Sequence, residues 1–206
     1  MIPNVEAQVS QNVSRETLER LEIYAQLLRK WNPRINLVAP KTLDDLWSRH
    51  IWDSAQVWAH RPEDCSVWAD LGSGGGFPGA VIAILGAEQP GLSVFLVESD
   101  QRKATFLRTV ARETGANFTV INKRIEDVEP LEADVVSARA LAPLSDLLAL
   151  ASMHLKRDGT ALLMKGAQHM SELEQARKTW SFNCTVLPSA TDKTAAILKI
   201  GGITRV

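Results

Sequence analysis

The chain has 206 residues, of which 45% are hydrophobic, and its formal net charge at pH 7 is −1. This length suits one large globular domain or a domain with an extension. The balanced charge excludes a strong overall attraction to nucleic acid. Two cysteines are too few for a disulfide scaffold, and no Cys-x-x-Cys or His/Cys spacing indicates a zinc site. No segment resembles a signal peptide or a membrane span, so we expect a cytoplasmic protein.

Two helices are predicted at the N-terminus. Apolar residues recur at helical spacing over 18–31, and Asn32-Pro33 is expected to end this first helix. Thr42 and Asp45 have the spacing of a capping-box variant, which predicts the start of a second helix.

Strands and helices alternate after this region, which divides the chain into a helical extension, residues 1–62, and a domain of residues 63–206. Such alternation is typical of a doubly wound α/β sheet, which binds ligands at the carboxyl ends of its strands. We expect a mostly parallel sheet with an antiparallel C-terminal pair, and the extension packed on it. The predicted strands lie near residues 66–71, 92–98, 117–122, 133–138, 159–165, 183–188 and 194–201.

A glycine-rich turn follows the first predicted strand. Asp70 ends the strand, glycines then occupy alternate positions at Gly72, Gly74 and Gly76, and Pro78 marks the start of a helix. Glycines let the backbone approach a ligand closely and adopt a positive φ. A tight surface turn is the alternative, but such turns need only one or two glycines. We therefore predict a ligand site at this turn.

The spacing of the turn distinguishes two kinds of ligand. Gly74-x-Gly76-x-x-Gly79 satisfies the dinucleotide pattern, but it begins too late after the strand. The register Asp70-x-Gly72-x-Gly74-x-Gly76 resembles motif I of class I S-adenosylmethionine-dependent methyltransferases. Glu98, at the end of the second strand, is placed to accept hydrogen bonds from a ribose diol; stabilising a helix N-terminus is its alternative role.

Three later segments follow predicted strands and carry candidate functional residues. The loop Arg124-Ile125-Glu126-Asp127 is suited to hold an adenine ring, and an exposed charged loop is the alternative. Arg139 ends the fourth strand, where it either faces a transferred methyl group or forms a structural ion pair. Lys165 ends the fifth strand as a site cation or a solvated side chain.

The extension carries weaker candidates. His50 either approaches the mouth of the cofactor site or is a satisfied structural residue, which is the commoner role of a lone histidine on a packed helix. Five cations either meet phosphates or form a solvated face: Arg29, Lys30, Arg34, Lys41 and Arg49.

In chain order, these segments resemble the bacterial 16S rRNA guanine-N7 methyltransferase G family, also called glucose-inhibited division protein B, over nearly the full length. The motifs are Trp31-Asn32-x-x-x-Asn36-Leu37, Arg49-His50-x-x-Asp53-Ser54, residues 70–79, Arg102-Lys103-x-x-Phe106-Leu107, Arg124-x-Glu126, Ser137-Ala138-Arg139-Ala140 and Lys165-Gly166. Gly75 departs from the family pattern, which often has proline there, and Glu98 stands where many relatives have aspartate.

The resemblance implies transfer of a methyl group from S-adenosylmethionine to N7 of a guanine in the 530 loop of 16S rRNA, guanine 527 in the family. It implies that Gly72, Phe77, Ile125, Glu126 and Arg139 bind the cofactor. Asp70, Gly74 and Glu98 complete the predicted cofactor site, and Arg124 and Lys165 are expected to hold flanking phosphates.

Guanine N7 has a lone pair and no proton at neutral pH, so an in-line transfer needs no general base. We expect Arg139 to position the reactants and meet the guanine carbonyl, with alignment supplying up to roughly 7–11 kcal/mol. The weak net charge predicts that the substrate is the small ribosomal subunit or an assembly intermediate. We also expect the protein to act as a monomer. Two other functions stay open: methylation of a small molecule or protein, and dinucleotide binding without catalysis.

Overall fold

Seven strands form one central sheet in the computed structural model, which describes residues 13–206. The strands are β1 (Val67–Leu71), β2 (Ser93–Val97), β3 (Thr119–Ile121), β4 (Ala133–Arg139), β5 (Leu155–Lys165), β6 (Trp180–Pro188) and β7 (Ala196–Arg205). Their order is β3-β2-β1-β4-β5-β7-β6. The first five are parallel, and β7 is antiparallel to both β5 and β6. The predicted fold class is confirmed.

Six α-helices accompany the sheet within the described residues: α1 (Arg15–Ile35), α2 (Asp53–Trp58), α3 (Gly79–Leu85), α4 (Gln101–Thr114), α5 (Leu144–His154) and α6 (His169–Ala176). A π-helical segment, Trp47–Trp52, leads directly into α2. Between residues 13 and 206, no helix is long and apolar enough to cross a membrane. The start of the predicted extension, residues 1–12, lies outside the described residues.

Helix α1 continues past the proline that was expected to end it. Pro33 lies in its last turn, and Asn36 caps the helix with a left-handed φ of 50°. A proline so near the end removes little of the helical hydrogen bonding, and asparagine tolerates the left-handed conformation. The buried Asn32 side chain then accepts a hydrogen bond from Val38 N at 2.8 Å, as expected for a turn asparagine.

The predicted capping box at Thr42 and Asp45 is wrong. Thr42 ends a 3₁₀ turn, Pro40–Thr42, and its hydroxyl donates to Ala39 O at 2.7 Å. This hydroxyl is satisfied locally and does not cap a helix. The next helical segment begins only at Trp47.

Of the three strands at the C-terminal side of the sheet, β5 and β6 begin earlier than predicted, whereas β7 begins slightly later, at Ala196, and ends later, at Arg205. β5 starts at Leu155 and passes close to β4 at Gly159, where an added Cβ would lie 2.8 Å from Ala133 O. β6 starts at Trp180, and Trp180 and Phe182 alternate with exposed residues along its first half. The polar residues at the start of β5 concealed its beginning.

Each face of the sheet is covered by its own apolar cluster. On one face, residues of α1 to α4 pack against Trp68 and Leu96, with Leu21 and Tyr24 of α1 fully buried. On the other face, α5 and α6 pack against strand residues that include Ala69. Residues from the predicted extension therefore share a core with the sheet, while the boundary at residue 62 stays a prediction.

Candidate active site

A cavity of about 870 Å³ lies at the carboxyl ends of β1, β2 and β4. The turn after β1, the acid after β2, the loop after β3 and the last residue of β4 all contribute to its wall. The lining includes nearly every predicted cofactor residue, namely Gly72, Gly74, Phe77, Glu98, Ile125, Glu126 and Arg139, together with Arg124. Asp70 and Lys165 lie outside this lining.

The glycine turn adopts the conformation that its sequence predicts. Gly72, Gly74 and Gly76 have φ values of 65°, 56° and 96°. At Gly74 an added Cβ would meet only Gly72 O, at 3.8 Å, so its missing side chain opens space in the cavity. At Gly76 an added Cβ would lie 2.7 Å from Tyr24 Oη. Gly74 therefore makes room for a ligand, and Gly76 makes room for α1.

Helix α1 holds the glycine turn in place. The buried Tyr24 hydroxyl donates a hydrogen bond to Gly75 O, and its ring lies 5.4 Å from the Phe77 ring, centroid to centroid. Leu37, just after α1, joins Gly75 in the cavity lining. Sequence analysis missed these roles, because the apolar stripe of α1 marks Tyr24 only as a core residue.

Asp70 lies beneath the turn and is fully buried. Ser137 Oγ donates to its Oδ1 at 2.6 Å, and Ser137 Oγ in turn accepts from Trp68 Nε1 at 2.9 Å. Within residues 13–206, Oδ2 has no hydrogen-bond partner of normal geometry. Burial raises the pKa of Asp70 to about 6, against the opposing effect of the Ser137 hydrogen bond. The Asp70 side chain is thus tied to β4 and lies outside the cavity lining.

The Glu98 carboxylate is fixed at the cavity wall by two backbone amides. Oε2 accepts from Gly74 N at 2.8 Å, and Oε1 accepts from Asp100 N at 2.7 Å. Each oxygen keeps a second lone pair that can accept a hydroxyl. The alternative role of capping a helix belongs to Asp100, whose carboxylate accepts from Arg102 N and Lys103 N at the start of α4.

The loop after β3 presents an apolar and a polar side chain side by side. Ile125 and Glu126 lie in a 3₁₀ turn, Ile125–Asp127, in which Ile125 is buried and Glu126 is exposed. The buried His154 of α5 anchors this turn, since its Nε2 lies 3.1 Å from Ile125 O. His154 gave no signal in the sequence, because its partner is a backbone atom distant in the chain.

Arg139 is surrounded by polar partners and an aromatic ring. Its Nη1 lies 3.4 Å from Asp53 Oδ2, its Nη2 lies 3.0 Å from His50 Nδ1, and its guanidinium stands 4.6 Å from the Phe77 ring centroid. The predicted ion pair is present and Arg139 also lines the cavity, while its role beside the transferred methyl group stays a prediction.

His50 is a positioning residue for Arg139. Since arginine only donates, Nδ1 must accept, and Nε2 then donates to Thr42 Oγ1 at 2.7 Å. Burial, followed by the charges of Arg139 and Arg49, lowers the pKa of His50 to about 4, so its ring is neutral at pH 7. The prediction of a satisfied structural histidine agrees with this geometry.

A second cavity of about 300 Å³ adjoins the first, and Arg139 and Ala140 line both. Lys165 lies in its wall, only 9% exposed, where Nζ donates to Ala142 O at 2.8 Å and pairs with Glu172 Oε2 at 2.6 Å. The alternative of a solvated lysine is therefore wrong, because α6 follows β5 and brings Glu172 over the strand end. Its charge is matched by Glu172, which does not favour the predicted phosphate contact.

This sheet order, with its antiparallel C-terminal strands, is that of the class I methyltransferases, which take their methyl group from S-adenosylmethionine. A ribosomal protein L11 methylase from Lactobacillus delbrueckii subsp. bulgaricus superposes with a TM-score of 0.58 at 20% identity, covering 76% of this chain and 78% of that one. An S-adenosylmethionine-dependent methyltransferase from Aquifex aeolicus gives 0.58 at 10% identity, covering 76% and 92%. At such identities the similarity shows the fold.

The family follows from closer relatives. The model of GidB, rRNA small subunit methyltransferase G, matches residues 17–198. The Ruegeria pomeroyi protein named ribosomal RNA small subunit methyltransferase G is 55% identical over 196 residues, which cover 95% of this chain and 96% of the relative. The protein of that name from Rhodospirillum centenum is 54% identical, covering 95% and 89%. The chain belongs to the rRNA small subunit methyltransferase G family, and the resemblance is confirmed.

Gly74→Val is expected to weaken ligand binding in the large cavity strongly while the protein stays folded. The branched side chain would enter the open space beside Gly74, so affinity for S-adenosylhomocysteine should fall by roughly 100-fold, about 2.8 kcal/mol. Isothermal titration calorimetry measures this loss. Gly91→Val is the matched control, since Gly91 has a φ of +80° and nothing within 4 Å of an added Cβ. Equal binding by both variants would contradict the assignment of the cavity.

Asp70→Asn is expected to remove a pH-dependent destabilisation. With its pKa raised from 3.8 to about 6, ionised Asp70 penalises the native state, and the penalty develops as pH rises through this interval. The free energy of unfolding of the variant, relative to the parent protein, should therefore rise by on the order of 2–3 kcal/mol between pH 4 and pH 7. Urea unfolding measures it, with the exposed Asp44→Asn as control. A difference in unfolding free energy between variant and parent that does not vary with pH would contradict the raised pKa of Asp70.

Proposed function

We propose that this protein transfers the methyl group of S-adenosylmethionine to N7 of a guanine in the 530 loop of 16S rRNA, guanine 527 in the family. Membership of the rRNA small subunit methyltransferase G family supports the substrate class. The observation that carries the proposal is the open space at Gly74, bordered by the fixed carboxylate of Glu98.

The large cavity fits the donor in its chemistry. Glu98 is positioned to accept the ribose hydroxyls, while Ile125 offers an apolar surface and Glu126 a polar edge for the adenine ring. Phe77 and Arg139 border the end that faces the second cavity. We assign Asp70 an indirect role, in which it fixes the backbone of the turn. S-adenosylmethionine supplies an electrophilic methyl group on a positively charged sulfur.

The residues near Arg139 position the reactants and do not remove a proton. N7 of guanine carries no proton at neutral pH, so the acceptor needs no general base. His50 is neutral, and both of its ring nitrogens are already engaged. Asp53 balances the charge of Arg139, which lessens the repulsion between the guanidinium and a cationic donor. Catalysis then depends on alignment of the acceptor with the donor.

The substrate is proposed to be a structured particle. The exposed cations Lys123 and Arg124 line the mouth of the large cavity, and we assign Arg124 to a flanking phosphate. The exposed cations of the N-terminal region add a second group: Arg29, Lys30, Arg34, Lys41 and Arg49. With a net charge of −1, such scattered cations bind free RNA weakly, whereas a folded particle presents phosphates at fixed positions. We propose that the substrate is the small subunit or an assembly intermediate. The protein would act on it as a monomer in the cytoplasm.

Mapping of the modified nucleotide tests the proposal. Small subunits that lack the modification, and protein-free 16S rRNA, are incubated with the purified protein and labelled donor. We expect 7-methylguanosine at a single position in the 530 loop, formed faster on the subunits. Methylation of another atom or another region would refute the proposed reaction. Equal or faster turnover on the protein-free rRNA would refute only the proposal that the substrate is a structured particle.

Arg139→Ala is expected to lower kcat/KM for methyl transfer by about 100-fold, since it removes the group that lies between the two cavities. The loss of stability should stay near 1 kcal/mol, because Asp53 keeps hydrogen bonds from Thr191 and Gln56. Single-turnover kinetics and thermal unfolding measure the two effects. Arg61→Ala is the control, as Arg61 also packs on an aromatic ring, that of Trp58. Strong destabilisation with normal activity per folded molecule would instead assign Arg139 to structure alone.

A further inference from the structure

We propose that the second cavity holds the acceptor base, and that Glu172 selects guanine by accepting hydrogen bonds from its N1–H and 2-amino groups. This inference rests on the proposed function and deepens it. The cavity, of about 300 Å³, shares Arg139 and Ala140 with the larger one, so a base within it lies next to the donor site.

The charges around the second cavity suit a neutral base better than a phosphate. Arg139 is paired with Asp53, and Lys165 is paired with Glu172. Two cations and two carboxylates therefore face the same space, and their charges balance. A phosphate would meet both carboxylates, whereas an uncharged purine with donors on one edge and an acceptor on another finds a partner for each.

Glu172 is held in one orientation with an acceptor to spare. Its Oε2 accepts a hydrogen bond from Leu144 N at 2.8 Å and forms an ion pair with Lys165 Nζ at 2.6 Å. Within residues 13–206, its Oε1 makes no hydrogen bond, and the side chain remains 25% exposed. Glu172 lines the second cavity and not the first. The carboxylate is thus held in place, has a free acceptor and belongs to the lining of the second cavity alone.

The reaction itself does not distinguish guanine from adenine, because N7 is unprotonated in both purines. Discrimination must come from the other edges of the base. When N7 points toward the large cavity, the neighbouring O6 faces Arg139, which is the commonest type of guanine contact in nucleic-acid recognition. We assign the N1–H and 2-amino donors, on the other edge of the base, to Glu172 in the lining of the second cavity. Adenine offers an acceptor at N1 and has no 2-amino group.

Methyl transfer strengthens this contact. The N7 lone pair forms the new bond to carbon as the bond from carbon to sulfur breaks; sulfur keeps that electron pair and no proton moves. The purine becomes cationic, so its N1–H becomes a stronger donor. A carboxylate on that edge stabilises the transition state more than the ground state, which is the condition for catalysis. We therefore expect Glu172 to affect kcat as well as base selection.

The test compares guanine with inosine at the target position of reconstituted small subunits. Inosine differs from guanosine only by the missing 2-amino group. The native protein should methylate the guanine subunits about tenfold faster or more. In Glu172→Gln, the amide would keep its oxygen toward Leu144 and Lys165 and turn its NH₂ toward the base donors, so this ratio should fall close to one. Glu174→Gln, at an exposed position of the same helix, should keep the native ratio.

Binding of guanosine and inosine at saturating S-adenosylhomocysteine gives the same comparison without turnover, and guanosine should bind the native protein more tightly. A native ratio near one in both measurements would overturn the inference, however the variant folds. An unchanged ratio in Glu172→Gln, with normal thermal stability and S-adenosylhomocysteine affinity, would overturn it too. Methylation of a guanine atom other than N7 would refute the proposed reaction, while the ratio of guanine to inosine methylation would still test the role of Glu172.

Discussion

The hydrogen bond between Gly74 N and the Glu98 carboxylate is the constraint on which the donor site depends. It ties the turn after β1 to the end of β2, so that two neighbouring parallel strands present one continuous wall. From the other side, Tyr24 binds Gly75 O and packs near Phe77. A backbone segment rich in glycine is flexible in isolation, and these two contacts convert it into a fixed surface.

The charge of Arg139 is balanced by its neighbours. A guanidinium beside a cationic donor would be repulsive, but Asp53 balances its charge, and neutral His50 accepts from it without adding charge. His50 is in turn oriented by Thr42. Residues of the N-terminal region therefore balance the charge of Arg139 at the end of β4 and orient its side chain. The region contributes to the site in addition to its packing on the sheet.

Much of the site could be predicted because glycines, acids and strand ends leave a local signature. The glycines after Asp70 and the acid that ends an apolar strand at Glu98 predict a ligand site, and the structure places Gly72, Gly74 and Glu98 in one cavity lining. Contacts that join distant segments left no such trace: Tyr24 to Gly75 and His154 to Ile125. Two helix boundaries were predicted wrongly, because Pro33 is tolerated in the last turn of α1 and the Thr42 hydroxyl bonds to Ala39 O in a 3₁₀ turn.

The residues that line the two cavities come from different parts of the chain. Residues that line the larger one lie between Leu37 and Met153, whereas the smaller one also requires the hairpin that carries Ser189 and Ile197. During synthesis, the ribosome releases the amino-terminal part first. The compartment for the methyl donor is thus encoded before the compartment beside it, which closes only when the carboxy-terminal hairpin joins the sheet.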